Sequence, residues 1–253
     1  MYFGSKKALY ERYALVKAAG FDSVMIWWGD SFYEKQEQLK LAEKYSLNVI
    51  NAHLPFENIN ALWSDKLAGE DFGKWLNTEL TDCAQHGVST AVLHLSKGLN
   101  PPPFSNAGLD RIKRAVETCE HCEVNLALEN LRHLDYLDYV MKNISSKRLG
   151  FCFDSGHKNY LSPNRDVLKD YRDRLFALHL NDNKGDDDTH MLPFDGTLDW
   201  SSVIRNLKDI NYRGALSLEI QKDRHPIYSE LTDEEYLSLA YKKALKLEQL
   251  LLI

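Results

Sequence analysis

The stretch GFCFDSGH, residues 150–157, decides how this chain reads: an apolar run closed by Asp154, with Gly156 and His157 turning immediately after it. Three other segments share the form. LALEN (126–130) reaches Glu129, FALHLND (176–182) carries His179, and LSLEI (216–220) reaches Glu219. Each run is long enough for a buried strand, and each polar group stands at or near the C-terminal end. In a parallel barrel those ends open onto one face, where catalytic residues collect. Oxygen and nitrogen donors in such a set suit zinc, manganese or a similar divalent ion.

Outward from these runs, strand-like and helix-like segments alternate almost from end to end, which predicts a parallel sheet with helical crossovers. Strands are expected at residues 23–27, 47–53, 90–95, 125–129, 149–154, 175–180 and 215–220, and a short first strand at 2–4 brings the count to eight. The expected fold is α/β, a single (β/α)8 TIM barrel over residues 1–253. Helical spacing of apolar residues fills the intervals, in SKKALYERYALVKAAG (5–20), SFYEKQEQLKLAEKYS (31–46), EDFGKWLNTELTDCAQHG (70–87) and NAGLDRIKRAVETCE (106–120). Gly20 and Gly87 read as helix stops and Asn106 as an N-cap. DWSSVIRNLKDI (199–210) and the C-terminal segment from Thr232 complete the set. Three longer polar loops, 54–69, 96–106 and 181–198, all follow strands and should stand over the site.

Composition leaves room for such a site and removes some alternatives. The chain has 253 residues, 44% hydrophobic and 27% charged, an ordinary globular balance. The net charge of −6 gives no general footprint for nucleic acid, although a local basic groove stays open. No apolar stretch is long enough for a membrane span, and the N-terminal residues lack the pattern of a signal peptide. Cys119 and Cys122 form a lone CxxC that fits helical spacing better than a zinc ribbon. With Cys83 and Cys152 the cysteine usage suits a reduced, cytoplasmic protein. Oligomeric state leaves no signal.

Glu129, Asp154, His179 and Glu219 come from successive strand ends, so barrel geometry draws them together near the axis. Four buried polar groups there are costly unless they satisfy one another or bind metal. A second set surrounds them. His157 lies three residues after Asp154 in a turn, His53 closes INAHLPF (50–56), and His94 stands in AVLHLS (91–96). Asp188 and His190 make a DxH pair in DTHMLPFDGTLDW (188–200). The nine residues are enough for more than one ion. His53 and His94 also fit a plainer role, bonding a backbone carbonyl, and the acidic run Asp186, Asp187 and Asp188 also fits a solvated loop. His86, His121 and His133 lie in helices or turns and read as ordinary, and His225, near the barrel mouth, has no assigned place.

LALEN, FDSGH, LHLNDN, DTHMLPFDGTLDW and LSLEI, in this order, resemble the xylose isomerase-like TIM-barrel superfamily over essentially the whole chain. That superfamily holds sugar and sugar-phosphate isomerases and epimerases together with endonuclease IV-type enzymes. The isomerase resemblance implies one divalent ion on Glu129, Asp154, His179 and Glu219, with the two glutamates moving a proton on and off carbon and His157 touching substrate oxygen. The endonuclease IV resemblance implies three zinc ions on all nine residues and cleavage at abasic DNA. The long loops lack basic clusters, since the loop after the third expected strand offers only Lys66, and DNA binding relies on several such contacts. LPFDGTLDW looks more like the isomerase branch. The expectation is therefore a divalent-metal-dependent isomerase or epimerase of a small sugar, sugar phosphate or polyol derivative. One ion is expected, with room for three. The same ligands would also serve a dehydration, a C–C cleavage or a non-catalytic metal barrel. The pocket wall, from Trp27, Trp28, Phe56, Trp63 and Lys97, would discriminate among these, with Trp27 expected to be packing.

Overall fold

The structure, a computed structural model, describes residues 2–29 and 35–252. Chain order runs α1 (Leu9–Ala18), β1 (Ser23–Trp27), α2 (Lys35–Lys44), β2 (Asn48–His53), α3 (Leu67–Gln85), β3 (Thr90–Leu93), α4 (Asn106–Cys122) and β4 (Asn125–Glu129). It continues through α5 (Leu134–Asn143), β5 (Leu149–Asp154), α6 (Ser155–Leu161), α7 (Val167–Tyr171), β6 (Leu175–His179), α8 (Trp200–Asp209) and α9 (Asp233–Leu252). All the strands pair in parallel, in sequence order from β1 to β6. The register sets Glu129 opposite Cys152 and Asp154 opposite His179, so the polar strand ends share one edge of the curved sheet. Helices cover the outer face, because a parallel strand pair needs a crossover between its members.

Sequence patterning accounts for most of these elements. On α3 the buried residues Phe72, Leu76, Leu80 and Cys83 recur every three or four positions and form a stripe. On α4, Leu109, Ile112, Val116 and Cys119 do the same, so Cys119 and Cys122 are helix neighbours. Gly20 and Gly87, just past the ends of α1 and α3, have φ of +107° and +72°. Side chains with a Cβ rarely adopt that left-handed turn. The cap of α4 differs from expectation. Ser105 is the N-cap, its hydroxyl accepting from the Gly108 amide, and Asn106 is the first helical residue. The helix expected over 31–46 is described from Lys35 to Lys44; its residues 31–34 lie outside the described part.

Six of the eight expected strands form, with ends shifted by two residues at most. The other two segments do not become strands. Residues 215–220 join β6 only through a Leu180–Leu218 bridge, with Leu180 N donating to Ser217 O (2.8 Å) and Glu219 N to Leu180 O (3.0 Å). The Ser217 hydroxyl donates to the Leu178 carbonyl, occupying an acceptor that a continued ladder would offer to a backbone N–H. Residues 2–4 carry one backbone link just beyond that segment, Lys222 N to Phe3 O (2.9 Å). The backbone then turns left-handed at Gly4, φ +83°. Among the described residues no ladder joins 2–4 to β1.

The loop after β2 is fixed by a buried cation. Arg111 of α4, 2% exposed, donates to the carbonyls of Leu62 (2.7 Å) and Ser64 (2.5 Å) and to Glu70. Trp63 in the same loop donates to Leu95 O (2.6 Å). Gly69 and Gly73 of α3 make the room, since a Cβ at Gly69 would collide with the guanidinium. Replacing Arg111 with Leu orphans two loop carbonyls, and each such loss costs about 1–3 kcal/mol. Urea denaturation of Arg111→Leu should show a loss of about 3 kcal/mol.

Candidate active site and metal centre

All nine residues singled out by sequence converge at the C-terminal edge of the sheet. Glu129 stands at the centre. Its Oε2 lies 3.2 Å from His53 Nε2, 3.3 Å from His94 Nε2 and 3.3 Å from His179 Nδ1, and its Oε1 lies 3.0 Å from His157 Nδ1. His179 Nδ1 is also 3.2 Å from Glu219 Oε2. Donor atoms of Glu129, Asp154, His179 and Glu219 all fall within 4.8 Å of one another, and those of His53, His94 and Glu129 form a second such group. The third cluster hangs on the loop after β6, where Asp188 Oδ2 is 3.2 Å from His190 Nε2 and 3.7 Å from His157 Nε2.

Backbone contacts orient the histidine rings. His53 Nδ1 bonds Leu54 O (2.9 Å), His157 Nδ1 bonds Asn130 O (3.1 Å) and His190 Nδ1 bonds Glu219 O (2.8 Å). A donor at Nδ1 leaves Nε2 with a free lone pair, the usual second contact of a metal-binding histidine. The plainer role expected for His53 is therefore real and coexists with its place in the site. His157 begins a helix rather than a turn: Asp154 caps α6, its Oδ1 accepting from the His157 amide at 2.6 Å.

Several positioning residues inside the quoted motifs had no role in the sequence reading. Asn130 clamps Asp154, accepting from its amide and donating to its carbonyl at 2.8 Å each. Asn181 Nδ2 donates to Asp154 Oδ2 (3.0 Å). Asp182, fully buried, fastens both ends of the long loop: its Oδ1 accepts from Asn183 N and Leu198 N, and its Oδ2 from Trp200 Nε1 (2.8 Å). A Cβ at Gly156 would strike Asn181 Oδ1, and one at Gly196 would strike Asp182. These two contacts explain the glycines of FDSGH and FDGTLDW. Cys152, also without an assigned role, packs under Glu129 and His179, and burial pushes its thiol up to about 12. Asn–backbone clamps have no sequence spacing of their own, which is why they escaped.

The aromatic wall divides. Trp27 stacks on His53 at 5.3 Å between ring centroids and faces the cavity, against the expectation of packing. Phe56 stacks on His94 at 4.2 Å, with Lys97 above its ring. Trp28 and Trp63 are core. Asp186 and Asp187 are exposed as expected, while Asp188 is half-buried in the site. His86 and His121 are exposed, His133 bonds Leu99 O, and His225 accepts from Ile227 N in a short 3-10 turn.

The donor set fits a divalent cation. Glu129 Oε2 and both ring nitrogens of His179 are buried without a hydrogen bond, with Glu129 Oε2 and His179 Nδ1 3.3 Å apart. Glu129, Asp154 and Glu219 put three carboxylates in one pocket, which favours a bound cation or protonated neighbours. Without an ion, protons do that work. Burial pulls the His179 imidazole down, but Cys152, Glu219 and Glu129 outweigh it and hold it well above its usual range. His157 is likewise held high by Asp154, Asp188 and Glu129 against burial. Burial lifts Asp154 to about 7. Burial would also raise Glu129, but His94 and His179 hold it well below the usual carboxylate range.

A curved parallel α/β sheet with its donors gathered at the C-terminal strand ends defines a TIM-barrel protein with an enzyme-like site. The chain belongs to the xylose isomerase-like TIM barrel family, whose model matches residues 13–241. It is 36% identical over 148 residues to the uncharacterized protein y4fM of Sinorhizobium fredii, covering 58% of this chain and 46% of that one. It is 29% identical over 119 residues to D-psicose 3-epimerase of Enterocloster bolteae, covering 43% and 37%. The chain thus matches less than half the length of either relative. Its fold is also that of the IOLI protein solved with a zinc atom, at TM-score 0.72 and 19% identity over 95% of this chain and 93% of that one.

The neighbouring carboxylates hold His179 and His157 above the usual imidazole range, which favours their protonated forms in metal-free protein. A ligating imidazole must be neutral, so an arriving ion displaces protons and affinity rises with pH until those raised values are passed. Zinc titrated into weakly buffered metal-free protein at pH 7 should release at least about one proton per ion, read with a pH indicator.

Proposed function

We propose that the protein is a divalent-metal-dependent isomerase or epimerase acting on a small sugar, sugar phosphate or polyol derivative. The observation that carries this reading is the pair of carboxylates meeting at one histidine nitrogen, Glu129 Oε2 and Glu219 Oε2 at 3.3 and 3.2 Å from His179 Nδ1. Likeness to D-psicose 3-epimerase in part of the chain supports the sugar class, and likeness to the zinc-holding IOLI fold supports a metal. Glu129, Asp154, His179 and Glu219 would hold the ion, zinc, manganese or a similar cation. When bound, it supplies an electrophile that stabilises negative charge developing on substrate oxygens.

The chain's own groups divide the remaining work. The Glu219 side chain is 23% exposed and Glu129 only 1%, and both border the cavity. Glu219 is the more accessible base. Burial favours its neutral form, but His179 and His190 hold it ionised, ready to take a proton from carbon beside a carbonyl. Glu129, at the same His179 nitrogen, returns or receives the proton. His157, His190 and Asp188 border the same cavity and orient substrate hydroxyls. Trp27 and Phe56 supply flat apolar walls. The four cysteines are unpaired, in keeping with a cytoplasmic enzyme.

A Glu219→Gln variant removes the base while keeping a neutral oxygen in place. Deuterium incorporation from solvent into the carbon-bound position of a turned-over ketose, followed by NMR, should fall at least about a hundredfold. Full exchange by the variant would remove Glu219 from that role.

The contiguous cluster of all nine residues favours one second reading, a trinuclear zinc phosphodiesterase of the endonuclease IV kind. Elemental analysis of protein purified without chelator separates the two. About one ion per chain is expected for the isomerase; about three zinc ions with cleavage of an abasic duplex would establish the second reading.

A further inference from the structure

Val92, Ala127, Cys152 and Ala177 pack together as a buried cluster of their own. Each lies two residues before a residue of the site: His94, Glu129, Asp154 and His179 in turn. Side chains alternate along a strand, so such pairs share a face, and the cluster points into the barrel as the site does. Three of its members are plain hydrocarbon. The fourth is a thiol, and the register sets it beside Glu129 on β4 and beside the small Ala177 on β6. Donor atoms of Glu129, Cys152 and His179 all lie within 4.8 Å of one another, close enough for one ion to meet all three.

The hydrogen bonds around this group separate a ligand from a packing residue. His53, His157 and His190 each bond a backbone carbonyl through Nδ1. His179, at 0% exposure, bonds none, and both its ring nitrogens are bare. Glu129 Oε2 is bare as well. Asp154 is not: its Oδ1 accepts from His157 N and its Oδ2 from Asn181 Nδ2. The buried atoms that still need a partner are therefore those of Glu129 and His179, the two residues that Cys152 faces. Bare buried polar atoms are costly, and a cation among them removes that cost.

We propose that Cys152 is a further donor to the ion, a thiolate beside Glu129 and His179, and that it makes the centre selective for zinc over manganese. This rests on the metal centre proposed above and narrows its ion. On binding, the S–H bond breaks, its proton passes to solvent and a sulfur–metal bond forms, with no change of oxidation state. Thiolate sulfur is a soft donor that zinc takes readily, whereas manganese favours carboxylate and water oxygen. Asp154 and Glu219 then complete the shell from the side of the cavity.

The test loads metal-free protein with cobalt(II), whose absorption reports the atoms bound to it. Unaltered protein should show a sulfur-to-cobalt charge-transfer band in the near ultraviolet, and Cys152→Ser should abolish it while the visible cobalt bands remain. Cys83, Cys119 and Cys122 stay in place in that variant, so a band that persists belongs to them and overturns the inference. Zinc affinity of Cys152→Ser should fall at least about tenfold, with manganese affinity changed by less than about threefold. An equal fall for both metals marks a structural loss and overturns the selectivity. Cys152→Ala, which matches the neighbouring alanines, serves if the serine variant does not fold. Cobalt bound to unaltered protein with visible bands alone overturns the inference and leaves the metal centre standing; cobalt that does not bind at all overturns both. Failure of the isomerase reading shows separately, as the absence of solvent exchange into any sugar.

Discussion

Four histidines from four different elements meet one buried carboxylate, Glu129, and the arrangement of the site follows from that meeting. His53 ends β2, His94 follows β3, His157 opens α6 and His179 ends β6; each brings a ring nitrogen within 3.3 Å of a Glu129 oxygen. A carboxylate at 1% exposure has no water to solvate it, so its charge must be answered by these rings or by a cation. Strand ends fix His53 and His179, a capped helix fixes His157, and a stacked phenylalanine holds His94. The donor groups are therefore set by backbone geometry before any ligand arrives.

The barrel is uneven around its circumference. From β1 to β6 every neighbour pairs in a parallel ladder, with register shifts at Val24/Met25 and Phe151/Cys152, whereas residues 215–220 and 2–4 hold by a bridge and one further backbone link. The rigid arc carries Glu129, Asp154 and His179, the residues whose mutual distances matter most. The loosely bonded side carries Glu219, whose side chain is 23% exposed. Rigidity and access are thus placed on opposite sides of the same pocket.

Much of this was legible in the sequence, for a physical reason. A strand buried on both faces must be apolar throughout, so the polar residue that ends it is conspicuous, and Glu129, Asp154, His179 and Glu219 could be picked out without coordinates. His190 was legible because it interrupts an acidic run before apolar MLPF. Other features have no such signature. Asn130 and Asp182 act through backbone groups remote in the chain, and nothing in their immediate neighbours marks a clamp. The two missing strands were misjudged because apolar content measures burial, while a ladder needs successive amides to find partners. At Ser217 and Gly4 the hydroxyl and the left-handed turn decide otherwise. Trp27 was misread because a tryptophan is apolar wherever it lies, and only the ring of His53 beside it shows which way it faces.

Asp182 has one more consequence. Because a single buried carboxylate accepts from Asn183, Leu198 and Trp200, the long loop after β6 is tied at both ends. It holds His190 at a left-handed φ of +45°, a conformation that a free chain rarely visits. The ordering entropy of that loop is lost when the protein folds, not when a ligand binds. A ligand that meets this loop would therefore not have to order it on binding.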